Sequence, residues 1–383
     1  MTNNRIYYAV QQAGIKADSD HAGLFTPIHG LQSCGMTTNF NLEQVFELGQ
    51  ISLYQNVEQI PDVQASLTKV LDGYPLMYTL ATKDATAPTL AGRQNAKCLF
   101  GLAIFPDTNS SAAGAPSSVV QCSGMFPGNV NLSFPVQGSS TEEMTVVGND
   151  KVWANTPGFG QSTNPGLVHP LFPGVFDDTD SPLAVTGVSQ RRHVVFQFDG
   201  TKGVDVNGMV ADEDATILPP EVFGVSASGT QDFTSSARAA VQSISVSMDF
   251  GREALNELGQ FAPYFRFAQT PIQVSTEIQV ISKSGDMISA TQDGLYKTDG
   301  AQCTAGGNLQ NRTIRVATCE GTRVYTGTKN KLSSVNYSGG DATGGNVSVS
   351  YQFVTFNDFT VMHSGDPNTH FAWADRADFL VNT

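Results

Sequence analysis

The chain has 383 residues, 40% of them apolar and only 15% charged, with 37 Gly and 18 Pro, a balance that suits strands and turns and suits disorder or long charged helices poorly. Thirty-five acidic residues against 21 basic ones leave a formal charge of −14. That argues against a protein that grips nucleic acid through clustered Lys and Arg, though not against one past which nucleic acid slides.

Five cysteines (Cys34, Cys98, Cys122, Cys303, Cys319) stand at wide spacing with no CxxC, which predicts reduced thiols and assembly in a cytoplasm rather than a zinc site. Met1 to Arg5 leads into only a short apolar run, so no signal peptide is expected. No stretch of 18 apolar residues is present to span a membrane.

In chain order, Arg5 to Val10 is the first predicted strand. The segment 31–61 follows, and it recurs without a gap at 241–271. The two are identical at Gln32/Gln242, Ser33/Ser243, Phe40/Phe250, Glu43/Glu253, Glu47/Glu257, Leu48/Leu258, Gly49/Gly259, Gln50/Gln260, Tyr54/Tyr264 and Pro61/Pro271. Internal self-similarity of this kind predicts a duplicated unit. Within each copy, Asn41 to Leu48 and Gly251 to Leu258 could wind two helical turns, with Glu43/Glu47 and Glu253/Glu257 sharing a face. A strand-to-turn segment closed by Gly49 and Gly259 is the preferred reading.

After the shared proline, Val63 to Leu67 and Ile272 to Thr276 alternate apolar and polar residues, the period of a half-buried strand. Each half then holds an apolar strand, Cys98 to Phe105 and Thr313 to Thr318. Each closes on a pair: Val130 to Val136 with Met144 to Val147, and Val347 to Val354 with Phe359 to Val361. Between the halves, Asn155 to Pro182 is rich in Pro and Gly and lacks periodicity, as a connecting arm would. The strand Arg192 to Phe198 takes the place in the second half that Arg5 to Val10 takes in the first. The predicted domains are 1–153 and 191–383, joined by an arm over 154–190.

No chemistry emerges from the motifs. Six His are scattered without HExxH or a neighbouring nucleophile motif, and lone His of this kind are expected on the surface or in loops. The acidic runs Asp177 to Asp180 and Asp212 to Asp214 lack calcium-loop spacing. No catalytic, metal or cofactor-binding residue is predicted. The repeated positions named above are assembly and structural candidates instead.

The segments "MTNNRIYYAVQQAGI", "PIHGLQSCGMTTNFNLEQVFELGQISLYQNVEQIPDVQASLTKVLDGYPL" and "VNLSFPVQGSSTEEMTVVGNDKVW" resemble the first half of long tail tube (major tail) proteins of tailed bacteriophages. "VQSISVSMDFGREALNELGQFAPYFRFAQTPIQVSTEIQVISKSGD" resembles their second half. The resemblance implies an all-β chain of two tandem β-sandwich or half-barrel domains, each with at most one short helix. It implies a homotrimeric, pseudo-sixfold ring that stacks into the conduit for DNA ejection, with no enzyme activity and no cofactor. Implied partners are further copies of the chain, the tape measure protein, the tail terminator and the distal tail or baseplate proteins. DNA would pass without specific binding, no membrane would be engaged, and the location would be the virion tail after assembly in the host cytoplasm. The wall of such a channel is expected to be acidic or neutral, because basic side chains would bind phosphates. Another tail, baseplate-ring or virion decoration protein of the same fold is an alternative. A carbohydrate-binding β-protein is a further alternative from another class, although no pair of carboxylates stands out for glycan chemistry.

Overall fold

Strict alternation of burial along Asp62–Val70 and Gln273–Ile281 marks both as strands with one face on a core and one in solvent. The computed structural model describes residues 6–19, 25–105, 116, 118–154, 187–191, 194–198, 240–259, 265–281, 311, 314–318, 320–338 and 346–363.

The first half contributes β1 (Gln11–Ala17), β2 (Thr26–Pro27), β3 (Leu31–Asn39), β4 (Leu42–Phe46), β5 (Leu53–Glu58), β6 (Asp62–Val70), β7 (Cys98–Ile104), β8 (Ser118–Pro135), β9 (Thr141–Gly148) and β10 (Val152–Ala154). The second contributes β11 (Val194–Phe198), β12 (Ala240–Asp249), β13 (Glu253–Leu255), β14 (Phe265–Phe267), β15 (Gln273–Ile281), β16 (Ile314–Thr318), β17 (Thr322–Tyr325), β18 (Lys331–Ser338), β19 (Ser348–Phe356) and β20 (Thr360–His363). Among the described residues, α-helix is confined to α1 (Met77–Ala81) and α2 (Leu90–Arg93). The fold is all-β, and every strand pair among the described residues is antiparallel.

One run of eight strands organises the molecule, in the order β3-β6-β9-β8-β12-β15-β19-β18. It crosses from one half to the other at β8–β12, where Val130 lies opposite Met248 and Phe134 opposite Ile244. β8 is 18 residues long and serves two layers. Its end from Phe126 onward pairs with β9, whereas its start pairs with β7 and β10 in an outer layer that also holds β1 and β2. Gly124, at φ +58°, and a bulge between Pro127 and Asn129 mark the passage between layers. Bulges bend and twist a strand in this way. In the second half β11, β16, β17 and β20 form a separate four-stranded outer sheet. The two halves thus set out four inner and four outer strands in the same order: β1, β7, β8 and β10 on one side, β11, β16, β17 and β20 on the other.

The larger of two buried apolar clusters among the described residues lies between the layers and draws on both halves, from Ile15, Leu67 and Phe100 to Val246, Ile278 and Val361; the smaller gathers Val10, Ala103, Phe105 and Val119. α1 closes the larger with Met77, Tyr78 and Leu80. No side chain of its own caps α1. The buried Glu142 of β9 does so instead, accepting from the N–H of Met77 at 2.7 Å and of Tyr78 at 2.8 Å. Burial nevertheless pushes the Glu142 carboxyl up to about 7.

Several expectations are corrected. The first strand begins at Gln11, and Tyr8–Val10 is a 3-10 turn, because Ile6 and Tyr8 point to solvent and offer no buried face. Both helices lie in the first half, where at most one was expected; α2 is a single turn between β6 and β7 whose Thr89 accepts from the N–H of Gly92. By sheet order β19 is the counterpart of β9, not of Val130 to Val136, whose counterpart is β18. Val63 stands level with Val274 rather than Ile272, since each is the first buried residue of its strand. Of the six His, His29 stacks on Tyr74 at 3.8 Å, and His363 is buried in β20 rather than at the surface. The arm Asn155 to Pro182, the acidic runs, His21, His169, His193, His370, Cys303 and Cys319 lie outside the described residues. Cys98 and Cys122 are buried free thiols, and Cys34 is a half-buried one.

Burial lowers His363 to about 4. Its Nε2 lies 3.3 Å from the carbonyl of Asp72, fitting a neutral ring that donates there. A depressed folded pKa means that the unfolded chain takes up the proton first. The contribution of His363 is therefore present above about 6.5 and lost as pH falls toward 4, by about 3 kcal/mol at most. Glu142 acts in the opposite sense, since its raised pKa favours folding as pH falls below 7. Denaturant midpoints of the native chain and His363→Gln from pH 8 to 4 should therefore diverge below 6.5, with the native chain losing more. Parallel curves would refute the assignment.

Candidate assembly surfaces

Three features stand out on the surface. The first is the face of the eight-stranded run turned away from the core. Alternation places Thr37 and Asn39 of β3, Gln64 and Ser66 of β6, and Asn129, Asn131 and Ser133 of β8 there. Ser245 and Ser247 of β12, Ser275 and Gln279 of β15, and Ser350 and Gln352 of β19 continue the same face. Side chains bond across it: Gln352 Nε2 donates to Ser275 Oγ at 3.0 Å, and Thr145 Oγ1 donates to Asn129 Oδ1 at 2.8 Å. Among the described residues its charges are Asp62, Glu143, Asp249 and Glu277 against one cation, Lys331, at the end of β18. Asp62 is partly neutralised by Arg266. The face is largely hydroxyl- and amide-lined, with a modest excess of carboxylates and with Val147, Val354 and the exposed Phe356 among them.

The second feature is a pair of hairpins built from the repeated block. Among the described residues β4 and β5 pair only with each other, as do β13 and β14. The segments considered for helix are therefore strands that run into turns. Gly49 and Gly259 occupy those turns at φ +94° and +85°, where a residue with a Cβ is strained. Glu47 accepts through its carbonyl from the N–H of Gln50 at 3.2 Å to close the first turn. Glu43 accepts from Gln59 Nε2 at 2.7 Å, across the ribbon. Leu48 and Leu258 are fully exposed at the two tips, Tyr54 is exposed on β5, and Glu253 and Glu257 are exposed on the second hairpin. The carbonyl of Pro61 accepts from Asn149 Nδ2 at 2.7 Å, and Pro271 stands just ahead of β15. Gln260 and Tyr264 lie outside the described residues. Leu42, Phe46, Ile51 and Leu53 add exposed apolar surface to the first hairpin, and Leu255 and Phe267 add it to the second. These were not singled out as candidates, although their alternation with polar residues was visible. A two-stranded ribbon is marginal alone, and a cluster of exposed apolar side chains marks an interaction surface.

The second hairpin leans on the first half of the chain. Phe265 meets Phe126 edge to face at 5.0 Å. Arg252 Nε donates to the carbonyl of Pro127 at 2.8 Å, and Arg266 Nε donates to Asn149 Oδ1 at 3.0 Å. At its base Phe250 is fully buried, whereas Phe40, at the same place in the first copy, is 63% exposed. Of the described repeated positions, those from Glu43 to Tyr54 and from Glu253 to Gly259 fall on the two hairpins, Gln32, Ser33, Gln242 and Ser243 lie on β3 and β12, and the two Phe part company.

The third feature is the pair of strands that end the eight-stranded run, β3 and β18, each with an outer edge left unpaired among the described residues.

No group of three or more His, Cys, Asp or Glu among the described residues could hold a metal ion. No protein-family model matches the chain, and no curated protein matches it. Among solved structures, the chain is similar to a component of the anti-feeding prophage baseplate at 10% identity and a TM-score of 0.30, over 40% of this chain and 98% of that one. It is also similar to a component of the sheath–tube complex of the extracellular contractile injection system PVC, at 8% identity and a TM-score of 0.30, over 40% and 95%. A component of a gene transfer agent tail matches at 18% identity and a TM-score of 0.25, over 38% and 95%. Similarity at this level assigns the chain to no family.

Proposed function

We propose that the protein is a structural subunit of a phage-type tail tube, a closed ring of three copies that stacks into a conduit for DNA, and not an enzyme. The observation that carries this reading is the eight-stranded run: four strands from each half, joined edge to edge at β8–β12, largely polar on one face and, among the described residues, unpaired at both ends. An exposed strand edge invites pairing, and a closed barrel removes it. The matching strand orders of the two halves support a duplication, and a duplicated unit makes three chains equivalent to a sixfold collar.

Size agrees with such a role. Three runs of eight strands, at about 4.8 Å per strand, would close a wall of about 115 Å circumference, or about 37 Å across before strand tilt widens it. That is wide enough for a double helix. The polar face would line the channel, with few cations to hold phosphates. Its carboxylates act only at short range, since salt screens charge within about 8–10 Å. The exposed hairpins would reach the next ring in the stack. Tape measure, terminator and distal tail proteins are the expected neighbours in the tail.

Electron microscopy of the purified protein tests this. Uniform tubes built of rings of three chains are expected; monodisperse monomers that bind glycans would favour the carbohydrate-binding alternative. A single terminal ring that never stacks would favour a baseplate role. Reversal of the wall charges by Glu143→Lys with Glu277→Lys should leave tubes intact and slow genome delivery. An unchanged delivery rate would count against the channel assignment.

A further inference from the structure

Both strands of the internal junction between the halves have counterparts at the ends of the eight-stranded run, β3 for β12 and β18 for β8, and neither counterpart has a second neighbouring strand among the described residues. β12 and β3 carry a bulge at matching places, between Val241 and Ser243 and between Leu31 and Ser33. β8 and β18 do so as well, between Pro127 and Asn129 and between Leu332 and Ser334. A bulge fixes register, since one residue of slip would turn every side chain to the wrong face.

The apolar rows of these strands differ only in what covers them. At the junction Ile244, Val246 and Met248 of β12 and Val130, Leu132 and Phe134 of β8 are all buried. At the edges Cys34 and Met36 of β3 are only half-buried, as is Val335 of β18, and Tyr337 of β18 is exposed. Phe250 follows the same rule: its N–H donates to the carbonyl of Gly128 at 2.9 Å, beside the bulge of β8, whereas its counterpart Phe40 is bare.

An open cavity of about 740 Å³ flanks β3, lined in part by Tyr8, Gln12, His29 and Gln32. Gln12 is 2% exposed, and neither atom of its side-chain amide has a partner among the described residues. A buried amide left in that state is costly. At the junction the place of Gln32 is taken by Gln242, whose carbonyl accepts from the N–H of Val136 at 2.8 Å, just past the end of β8.

We infer that β3 of one copy pairs antiparallel with β18 of the next, with Met36 opposite Tyr337, Thr37 opposite Asn336 and Thr38 opposite Val335. This pairing covers Phe40 and brings the end of the second copy's strand to the cavity beside Gln12. It rests on the ring reading and adds to it the edge, direction and register of the contact. The occupant is a second copy because its edge strand carries the bulge and the apolar row that the junction already joins.

Two double variants of the full chain test it, Met36→Cys with Tyr337→Cys and Thr37→Cys with Asn336→Cys. Directly opposite pairs in an antiparallel ladder alternate in spacing, so one of two successive pairs suits a disulfide. Thr37 and Asn336 point away from the core, so the second variant tests the register even if the first loses apolar packing. Each protein is assembled under reducing conditions, then oxidised and run on a non-reducing gel. The expected result is a covalent trimer from at least one double variant and none from any single variant. Assembled rings or tubes in which neither pair closes, or in which Thr37→Cys closes instead with Ser334→Cys, two residues away, would overturn the register while leaving the ring reading standing. A chain that stays monomeric under all conditions would overturn both.

Discussion

Replacing Phe250 by Ala should lower the stability of the monomeric chain by about 3–5 kcal/mol, the usual cost of removing a buried aromatic side chain. Phe250 is fully buried, 6.3 Å from the ring of Tyr78, with the Arg252 guanidinium 4.8 Å from its own ring. Its loss opens a void where the second half meets the first, and the surrounding strands can collapse into it only partially. Phe40→Ala, the same substitution in the other copy of the block, should cost the monomer less than about 1 kcal/mol, because Phe40 is already largely in water. Its effect should fall on association instead, raising the concentration at which rings form. Urea melts at a concentration where the chain is monomeric, beside light scattering on assembly, separate the two. Equal destabilisation by both substitutions, or an unchanged assembly threshold for Phe40→Ala, would refute the asymmetry.

A charge at both hairpin tips should abolish tubes and leave the fold untouched. Leu48 and Leu258 are fully exposed beside Gly49 and Gly259, so Asp in their place disturbs no packing within the chain. If the tips dock on apolar surface of the next ring, Leu48→Asp with Leu258→Asp places two uncompensated charges per chain in each stacking contact. Desolvating them costs several kcal/mol, multiplied over the copies in a ring. Free rings with an unchanged melting curve and no tubes under the electron microscope are expected. Tubes of normal length would show that the hairpins face elsewhere.

Much of the inner layer was legible because its strands obey simple rules. β6 and β15 alternate strictly, and the Gly that closes each hairpin sits where a turn needs positive φ. β18 escaped notice: its bulge at Ser333 breaks the alternation, and Ser and Asn fill it because an edge strand buries little. β8 was legible only from Val130 onward, since Gly124, Pro127 and Gly128 interrupt the pattern where the strand passes between layers. Residues 5–10 misled because a short apolar run carries no period long enough to separate strand from turn.

The amino-acid sequence by itself determined that the chain is all-β, that a block built around Glu-Leu-Gly-Gln occurs twice, and that acids outnumber bases. These are local matters of side-chain period, turn chemistry and composition. Only the tertiary structure decided that β8 and β12 join the halves into one eight-stranded run, that the two copies of Phe in the block end up buried and bare, and that β3 and β18 are left as edges. Strand pairing over more than a hundred residues depends on which edges meet in space, and identical local sequences then acquire different surroundings according to whether another strand of the chain lies beside them.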